Sequence, residues 1–413
     1  VVGVRTVTLM VRPAPAPPVV GGQDFPFDMR VRKVEFIDGS WGPTKIIPEM
    51  EVSIVDPHSA TSSCTLTISR LYETDLPDYS IVDVEVLDGV NWINPGHRFV
   101  ITRVEADQAD LSQTIKFSGI DFVDYSLARA YAQIKLNFPG QTPGNIMKYL
   151  VDTAKSRGWG PRIETSFSYT TTSAGTPWTN TSVQEIAANV PASQTLEGLV
   201  NDGKAEYRVR YENDKAILDL FNPGWGSDWA ATGSDPVVNL ATVPMISEPR
   251  RGSAEGLVTR VSVSGDGDLV RTRERAPFDP DVLGHLEGWV AAGGITDAAE
   301  ADGIGDTTLA EGSKPIDERT FEYNMASSPR QVWPYFTVRP GDWVLIPRAS
   351  DEGLERVRVG QLTLSKKGTT TATILTGDRI LNGLNAVAKR QQLATGGAIP
   401  GGTLRPPQTS DDR

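Results

Sequence analysis

The chain has 413 residues, of which 39% are hydrophobic and 22% are charged, and its formal net charge is −12. This composition excludes a disordered chain, and the length predicts two to four domains of about 100–200 residues each. The acidic balance argues against a protein that grips duplex DNA through Lys and Arg, whereas an acidic wall past which DNA slides and an acidic surface that only maintains solubility both fit it.

Residues 1–27 are predicted to form an N-terminal arm. Residues 1–10 have β character, and the proline-rich stretch 13–18 breaks it, because proline lacks a backbone donor and favours an extended chain. The start lacks the pattern of a secretory signal, and no stretch approaches the ~20 apolar residues of a membrane span. We therefore expect a soluble protein without a membrane segment, made in a cytoplasm.

Residues 28–131 are predicted to form a first β-barrel domain. Short apolar runs alternate with turn signals, and no long helix separates them, which is typical of a small barrel or sandwich. Strands are predicted at 34–37, 50–55, 64–69, 81–87, 99–104 and 114–118. The segment from Asp38 to Gly42 is predicted to be an exposed turn. Cys64 is the only cysteine, which excludes an intrachain disulfide and a cysteine-based zinc site, and we expect it to be buried.

The periodicity becomes helical in residues 132–235, which are predicted to form an α+β domain. Apolar side chains recur on one face from Ile146 to Ala154, after a Thr142 cap and a proline in the first helical turn. The other elements predicted here are a helix at 195–203 and a β-hairpin of 205–211 with 215–221.

Residues 236–330 are predicted to form a connecting α+β domain, 331–390 a second β-barrel domain, and 391–413 a flexible tail. In the connecting domain we predict a strand at 258–264 and helices at 281–292 and 296–303. In the second barrel we predict strands at 343–347, 354–365 and 369–376 and a helix at 380–389. The predicted fold is therefore mainly β with an α+β insert.

A short pattern occurs in both predicted barrels. Pro95-Gly96 and Pro340-Gly341 each lead into an apolar strand, and each unit ends in a strand closed by Gly and Asp, at Gly119-Ile120-Asp121 and Gly377-Asp378. The residues alone are ordinary turn chemistry. Their position at opposite ends of the chain favours two equivalent barrels.

The sequence offers little support for catalysis. His58, His97 and His285 are the only histidines and lack the spacing of a zinc hydrolase; His97, in a turn, is expected to be exposed. No Gly-x-Ser-x-Gly elbow occurs. A glycosidase needs two carboxyl groups about 5–9.5 Å apart, which spacing along the chain does not reveal. The possible members of such a pair are Glu185, Glu197, Glu206, Asp219 and Glu248.

Two other segments have alternative interpretations. The sequence Gly265-Asp266-Gly267-Asp268 has oxygen ligands for calcium, but it lacks the further ligands of a full loop, and a tight hairpin turn is favoured. Trp225 and Trp229, with Trp178, could form a sugar platform, but packing in a core or subunit interface is favoured. We predict no catalytic residue, no metal site and no cofactor.

The order of several segments resembles the tail-hub proteins of long-tailed phages, which are related to the hubs of contractile injection machines. Together these segments span about residues 28–382. They are the Pro95-Gly96 to Asp121 unit with Tyr125-Ser126-Leu127-Ala128-Arg129, Thr142-Pro143-Gly144-Asn145-Ile146, Thr195-Leu196-Glu197-Gly198-Leu199 with Tyr207-Arg208-Val209, Arg260-Val261-Ser262-Val263-Ser264-Gly265, and Pro340-Gly341-Asp342-Trp343-Val344.

The resemblance implies a structural, non-enzymatic hub protein at the tail tip of a siphophage virion, assembled in the bacterial host cytoplasm. It implies a homotrimer in which two barrels per subunit form a pseudo-sixfold ring around a channel for DNA ejection. The implied partners are the distal tail protein ring, the tape measure protein, a central fibre or other minor tail proteins, and viral DNA that passes through without specific binding. The alternatives are a tail-associated cell-wall hydrolase and a receptor- or glycan-binding tail-tip protein.

Overall fold

The computed structural model describes residues 27–377 except for 38–39, 78, 88, 107–112, 213–214, 232–236, 249, 254–256, 278–280, 282–283, 293–294, 313–315 and 349–352. Residues 1–26 of the arm predicted at 1–27 lie outside the described residues, as do the predicted helix at 380–389 and the predicted tail at 391–413. No helix within the described part of the chain has the length and apolar character that a membrane crossing requires.

The N-terminal β module contains β1 (Met29–Ile37), β2 (Ser40–Ile47), β3 (Glu49–Pro57), β4 (Ser63–Ser69), a 3-10 helix (Arg70–Asp75), β5 (Ile81–Leu87), β6 (Trp92–Ile93), β7 (Arg98–Glu105) and β8 (Thr114–Asp121). The α+β unit contains α1 (Phe122–Leu127), β9 (Leu136–Gln141), α2 (Pro143–Lys155), β10 (Ile163–Thr165), β11 (Ser182–Ile186), α3 (Ala192–Asn201), β12 (Glu206–Glu212) and β13 (Lys215–Phe221). All six predicted strands of the first region and both predicted helices and the hairpin of the second are confirmed, with shifted ends.

After a 3-10 helix (Leu240–Thr242), the chain forms β14 (Arg250–Ser253), β15 (Arg260–Ser264), β16 (Val270–Glu274), β17 (Glu287–Ala291), α4 (Ala298–Glu311) and β18 (Ile316–Asn324). A further 3-10 helix (Arg330–Val332) precedes β19 (Trp343–Pro347), β20 (Leu354–Lys367) and β21 (Thr369–Gly377). We call β14 and β18 to β21 the C-terminal β module, and β15 to β17 with α4 the insert.

The two β modules form one continuous sheet. Its strand order is β14-β18-β21-β20-β3-β4-β8-β7-β5-β1-β2, with β19 beside β20 and β6 beside β5. The modules are joined by the antiparallel pairing of β3 with β20, from Glu51 opposite Lys367 to Pro57 opposite Gln361. One core of buried side chains includes residues of both modules. The described part of the chain is thus mainly β, as predicted, and its two β modules are packed side by side.

A bulge adapts the long strand β20 to this position. Val357 and Val359 face the core before it, and Leu362 and Leu364 face the core after it. Side chains alternate with a period of two, so a strand without a bulge would turn one of these pairs outward. The register shift lies at Gly360, and it keeps both halves of β20 buried on the same side.

Two sequence predictions about secondary structure are wrong. Ser40 to Gly42 belong to β2 rather than to an exposed turn, because the β1 ladder continues to the pair of Ile37 with Ser40. The helix predicted at 281–292 is replaced by β17, which pairs in parallel with β15. Gly284 has a positive φ of 60°, and a second glycine at 288 further lowers helix propensity, so pairing with β15 prevails.

The insert leaves the large sheet and returns to it at neighbouring strands. β14 and β18 flank the insert in sequence and pair antiparallel, from Arg250 opposite Arg319 to Ser253 opposite Ile316. α4 packs on one face of the β16-β15-β17 sheet, where Val261, Val263 and Ala301 form a small core of their own. Residues 265–269 join β15 to β16, which confirms the hairpin turn favoured for the possible calcium segment.

Candidate functional site

The two Pro-Gly turns of the sequence repeat meet at one cavity. Pro95 and Gly96 lie on its wall together with Pro340, and Tyr207 and Trp225 of the α+β region complete it. The cavity has a volume of about 70 Å³. It lies where both β modules and the α+β unit come together, and we call it the junction cavity.

Side chains fix each Pro-Gly turn from a different direction. Asn94 Oδ1 accepts hydrogen bonds from the backbone N–H groups of Gly96 (2.8 Å) and His97 (2.9 Å). At the second turn Asp342 Oδ2 accepts one from the Arg339 N–H (3.0 Å), and Oδ1 accepts one from the Ser227 N–H (2.8 Å). The second turn is therefore tied to the chain that leaves the α+β unit.

His97 is buried and paired with a carboxylate, contrary to the expectation of an exposed turn residue. The whole residue is 7% exposed, and its Nε2 atom lies 3.1 Å from Asp56 Oδ2. Burial lowers the pKa of His97, but the charge and hydrogen bond of Asp56 raise it more, so the net pKa is above its ordinary value. Burial raises the pKa of Asp56, but the charge and hydrogen bond of His97 lower it more, so the net pKa is below its ordinary value. Both net shifts therefore favour the charged form of the pair.

Glu206 links the α+β unit to the C-terminal β module. Arg358 of β20 donates to both its carboxylate oxygens, at 2.6 and 2.7 Å, and the backbone N–H groups of Gly224 and Trp225 donate to it at 2.8 and 3.1 Å. His58 Nε2 lies 3.2 Å away. Burial raises the pKa of Glu206, but the Arg358 and His58 contacts lower it to about 2.

One carboxyl group, that of Asp121, links the N-terminal β module to the α+β unit, and a second, that of Asp124, joins α1 to β12 within that unit. The Tyr211 hydroxyl donates to Asp121 at 3.1 Å, and the Tyr207 hydroxyl donates to Asp124 at 3.3 Å. Asp121 also caps α1 by accepting from the Val123 N–H at 2.8 Å. Burial raises the pKa of Asp121 to about 6. Burial and then the charge of Asp121 raise that of Asp124 well above its ordinary value.

Neighbouring buried carboxyl groups with raised pKa values also occur at glycosidase sites, and Asp124 lies on the wall of the junction cavity. Asp121 and Asp124 are 1% and 6% exposed, and each is engaged by a tyrosine hydroxyl. These contacts fix β8, α1 and β12 against one another.

Among the described residues, no contact joins any two of the five carboxylates that were proposed from the sequence. Glu206 is bound as above, and Asp219 accepts from Arg208 and Arg210 at 2.7 and 2.9 Å. Glu185 pairs with Lys135 on the surface, and Glu248 lies 3.8 Å from Arg319. Glu197 is on α3, and burial raises its pKa.

The tryptophans considered as a sugar platform pack within the chain. Trp225 stacks on Phe221 with ring centroids 3.9 Å apart. The Trp229 indole N–H donates to Asp342 at 3.1 Å, and that of Trp178 donates to the Ser168 carbonyl at 3.2 Å. Cys64 is buried, as predicted, and burial raises its pKa to about 12. Among the described residues, no group of three His, Cys, Asp or Glu side chains is arranged to hold a metal ion.

Sequence reasoning missed the acid and tyrosine pairs of the junction. Asp121 and Asp124 are three residues apart at the start of a helix, where both can point towards one side. Tyr207 and Tyr211 are four residues apart on a strand, which places them on the same face. These two spacings were visible in the sequence, but only the fold shows that the two faces meet.

No protein-family model and no curated protein matches the sequence. Among solved structures, the tail protein from Neisseria meningitidis MC58 has 13% identity and a TM-score of 0.56, with 85% of this chain and 96% of that chain covered. The 43 kDa tail protein of prophage MuSo2 from Shewanella oneidensis has 11% identity and a TM-score of 0.54, with 85% and 98% covered. The prophage tail protein gp18 from Listeria monocytogenes EGD-e has 12% identity and a TM-score of 0.54, with 89% and 100% covered.

At identities this low, the comparison shows a likeness of fold alone. The coverage shows that this likeness extends over nearly the whole of each of the three tail proteins. The resemblance to phage tail proteins predicted from the order of sequence segments is confirmed at this level. The chain has the fold of phage tail proteins.

Proposed function

We propose that this chain is the structural hub of a siphophage tail tip, a homotrimer in which the two β modules of each subunit act as barrels of a pseudo-sixfold ring. The observation that carries the proposal is the β3–β20 pairing, which sets the two modules side by side in one sheet. Modules arranged in this way can alternate around a closed ring when three copies meet head to tail.

In this proposal the ring joins the hexameric tail tube and distal tail protein to a threefold tip. It also contacts the tape measure protein and a central fibre or other minor tail proteins, and viral DNA passes through its lumen during ejection. The net charge of −12 supports passage without binding, because acidic groups around a channel repel phosphate. The protein would belong to the virion and be assembled in the host cytoplasm. The division of the chain at residues 27, 131, 235, 330 and 390 stays a prediction.

A non-enzymatic role is part of the proposal. It is supported by the junction, where the candidate carboxylate Glu206 is held by Arg358 and two backbone N–H groups and Asp121 is inaccessible. A carboxylate so fully engaged has no free lone pairs aimed at a substrate. Digestion of purified host cell wall, which would release soluble glycan, would contradict this part of the proposal.

The mass of the purified protein tests the assembly. Light scattering coupled to size exclusion is expected to give three times the 44.7 kDa of one chain, and electron microscopy is expected to give rings with six lobes and a central hole. Antibody labelling of virions is expected at the tail tip. A monomer at all concentrations, together with labelling along the tail or at the head, would overturn the proposal.

A further inference from the structure

The insert has one sheet face that α4 does not cover. Val261 and Val263 of β15 point towards α4, so their neighbours in the strand point to the opposite side. The register places Thr272, Ser262 and Trp289 in one row across the three strands, and Glu274, Arg260 and Glu287 in the next. We call this side the insert face.

The insert face is exposed and acidic. Trp289 is 38% exposed and Val270, on the same side at the end of β16, is 53% exposed. Arg260 lies between Glu274 (3.7 Å) and Glu287 (3.3 Å), so acids outnumber bases in that row. Trp289 and Val270 lie on opposite edge strands of this face, with β15 between them. An exposed tryptophan next to a row of charges is typical of a protein contact surface.

A second exposed surface of the chain has complementary chemistry. In the loop after α1, Tyr131 is 47% and Ile134 is 64% exposed. Arg129 and Lys135 flank them in sequence, and Arg157 is held beside them because its guanidinium donates to the Tyr131 carbonyl at 2.8 Å. We call these five residues the basic loop. Since both surfaces are exposed, neither covers the other within one chain.

We infer that in the assembled protein the insert face of one subunit packs against the basic loop of the next, so that the partner for this face is a second copy of the same chain. The inference rests on the proposed trimer. Apolar side chains would meet apolar ones, and Glu274 and Glu287 would meet basic side chains. A head-to-tail contact between two different surfaces is what a closed ring of three copies requires.

The contact between the insert face and the basic loop would form one part of a larger interface between subunits. Three strands of about five residues present a face of roughly 10 by 16 Å, whereas a stable interface buries about 800 Å² on each partner. Changes at the insert face are therefore expected to weaken the assembly without abolishing it.

Photo-crosslinking tests which surfaces meet. The protein with Trp289→p-benzoyl-phenylalanine is irradiated as an equal mixture of isotopically light and heavy chains, which separates links between subunits from links within one. We expect mixed-isotope adducts with peptides containing residues 129–135. The same photoreactive residue at Tyr169, which is 49% exposed on the α+β unit, serves as the control and is expected to give no adduct with that segment.

Charge reversal provides a second readout. Glu287→Lys is expected to raise the concentration at which half of the trimer dissociates about tenfold, and adding Arg157→Glu is expected to restore it largely. Glu73→Lys, at an exposed acid of the N-terminal β module, is expected to leave it unchanged. A trimeric wild type whose Trp289 adducts stay within one chain or reach another segment overturns this inference and leaves the proposed function intact. A monomeric wild type overturns both.

Discussion

Glu206 and Arg358 are 152 residues apart in sequence and form a two-pronged ion pair of 2.6 and 2.7 Å. The pair joins the first residue of β12 to the long strand that bridges the two β modules. Both side chains are largely buried, at 11% and 13% exposure, so each would be left as an uncompensated charge if the other were removed. The pair therefore fixes the α+β unit to the continuous sheet.

We predict that Glu206→Gln lowers the free energy of unfolding by about 3 kcal/mol. Urea unfolding followed by tryptophan fluorescence measures the change. Glu185→Gln is the matched control, because Glu185 pairs with Lys135 on the surface and its loss is expected to cost about 0.5 kcal/mol or less. Equal effects of the two substitutions would show that the junction pair has no special weight.

The low pKa of Glu206 also predicts an acid dependence. Since its folded-state pKa is about 2 and its ordinary value is 4.5, the carboxylate stabilises the fold fully above pH 4.5, and this stabilisation is lost as the pH falls towards 2. Glu206→Gln does not ionise, so the difference in unfolding free energy between wild type and variant is expected to shrink over this window. A difference that stays constant from pH 7 to pH 3 would contradict the assignment.

The pKa of Asp124 is raised, whereas that of Glu206 is lowered, so the two carboxyl groups affect stability in opposite directions of pH. Burial and the charge of Asp121 raise the pKa of Asp124, so its contribution to stability is favourable at low pH and is lost as the pH rises through the folded-state value. Asp124→Asn keeps an acceptor for the Tyr207 hydroxyl and removes the charge. We expect the variant to be more stable than wild type at pH 8, by about 1–3 kcal/mol, and to lose this advantage near pH 4.

The thermal midpoint measured from pH 4 to pH 8 checks this expectation. Asp152→Asn is the control, because Asp152 is a half-exposed partner of Lys148 on α2, and its effect is expected to be small at every pH. Loss of stability in Asp124→Asn at pH 8 would mean that its negative charge holds the junction together.

Local patterns in the sequence predicted most strands and both helices of the α+β unit, because alternation and capping are properties of neighbouring residues. The Thr142 side chain accepts from the Asn145 N–H as a cap should. The pairing of β3 with β20 joins residues some 300 positions apart, and no local pattern specifies it. The same holds for His97, whose turn position suggested exposure, while its burial depends on Asp56 and Tyr335 from distant segments.

Lys366 and Lys367 are neighbours on β20 with different surroundings. Lys366 Nζ donates to the Met29 carbonyl at 2.7 Å and pairs with Asp28 and Glu49 at 3.0 Å. Lys367 is 80% exposed and pairs only with Glu51 in the described residues. We predict that Lys366→Met lowers the free energy of unfolding by about 2 kcal/mol, whereas Lys367→Met leaves it nearly unchanged, because the ion pair of Lys367 is exposed to solvent. Urea unfolding compares the two variants. A larger effect at Lys367 would show that the contacts of Lys366 with Met29, Asp28 and Glu49 do not hold the two β modules together.

The last prediction concerns the close approach of two backbones at the junction. Gly226 has a φ of +148°, and a Cβ atom on it would lie 2.0 Å from the Gly341 carbonyl oxygen at the second Pro-Gly turn. Gly224 also has a positive φ, of +87°, but a Cβ there would have open space around it. The two glycines therefore separate steric contact from backbone strain.

We expect Gly224→Ala to cost about 1–2 kcal/mol from the left-handed conformation alone. Gly226→Ala is expected to cost more than about 3 kcal/mol, because the backbone of the Pro340-Gly341 turn must move and carry Asp342 with it. Thermal unfolding of the two variants gives the comparison, and trimer mass shows whether the displaced turn also disturbs assembly. Equal destabilisation would mean that the turn yields to the added methyl group, and that the junction does not depend on this contact between the α+β region and the C-terminal β module.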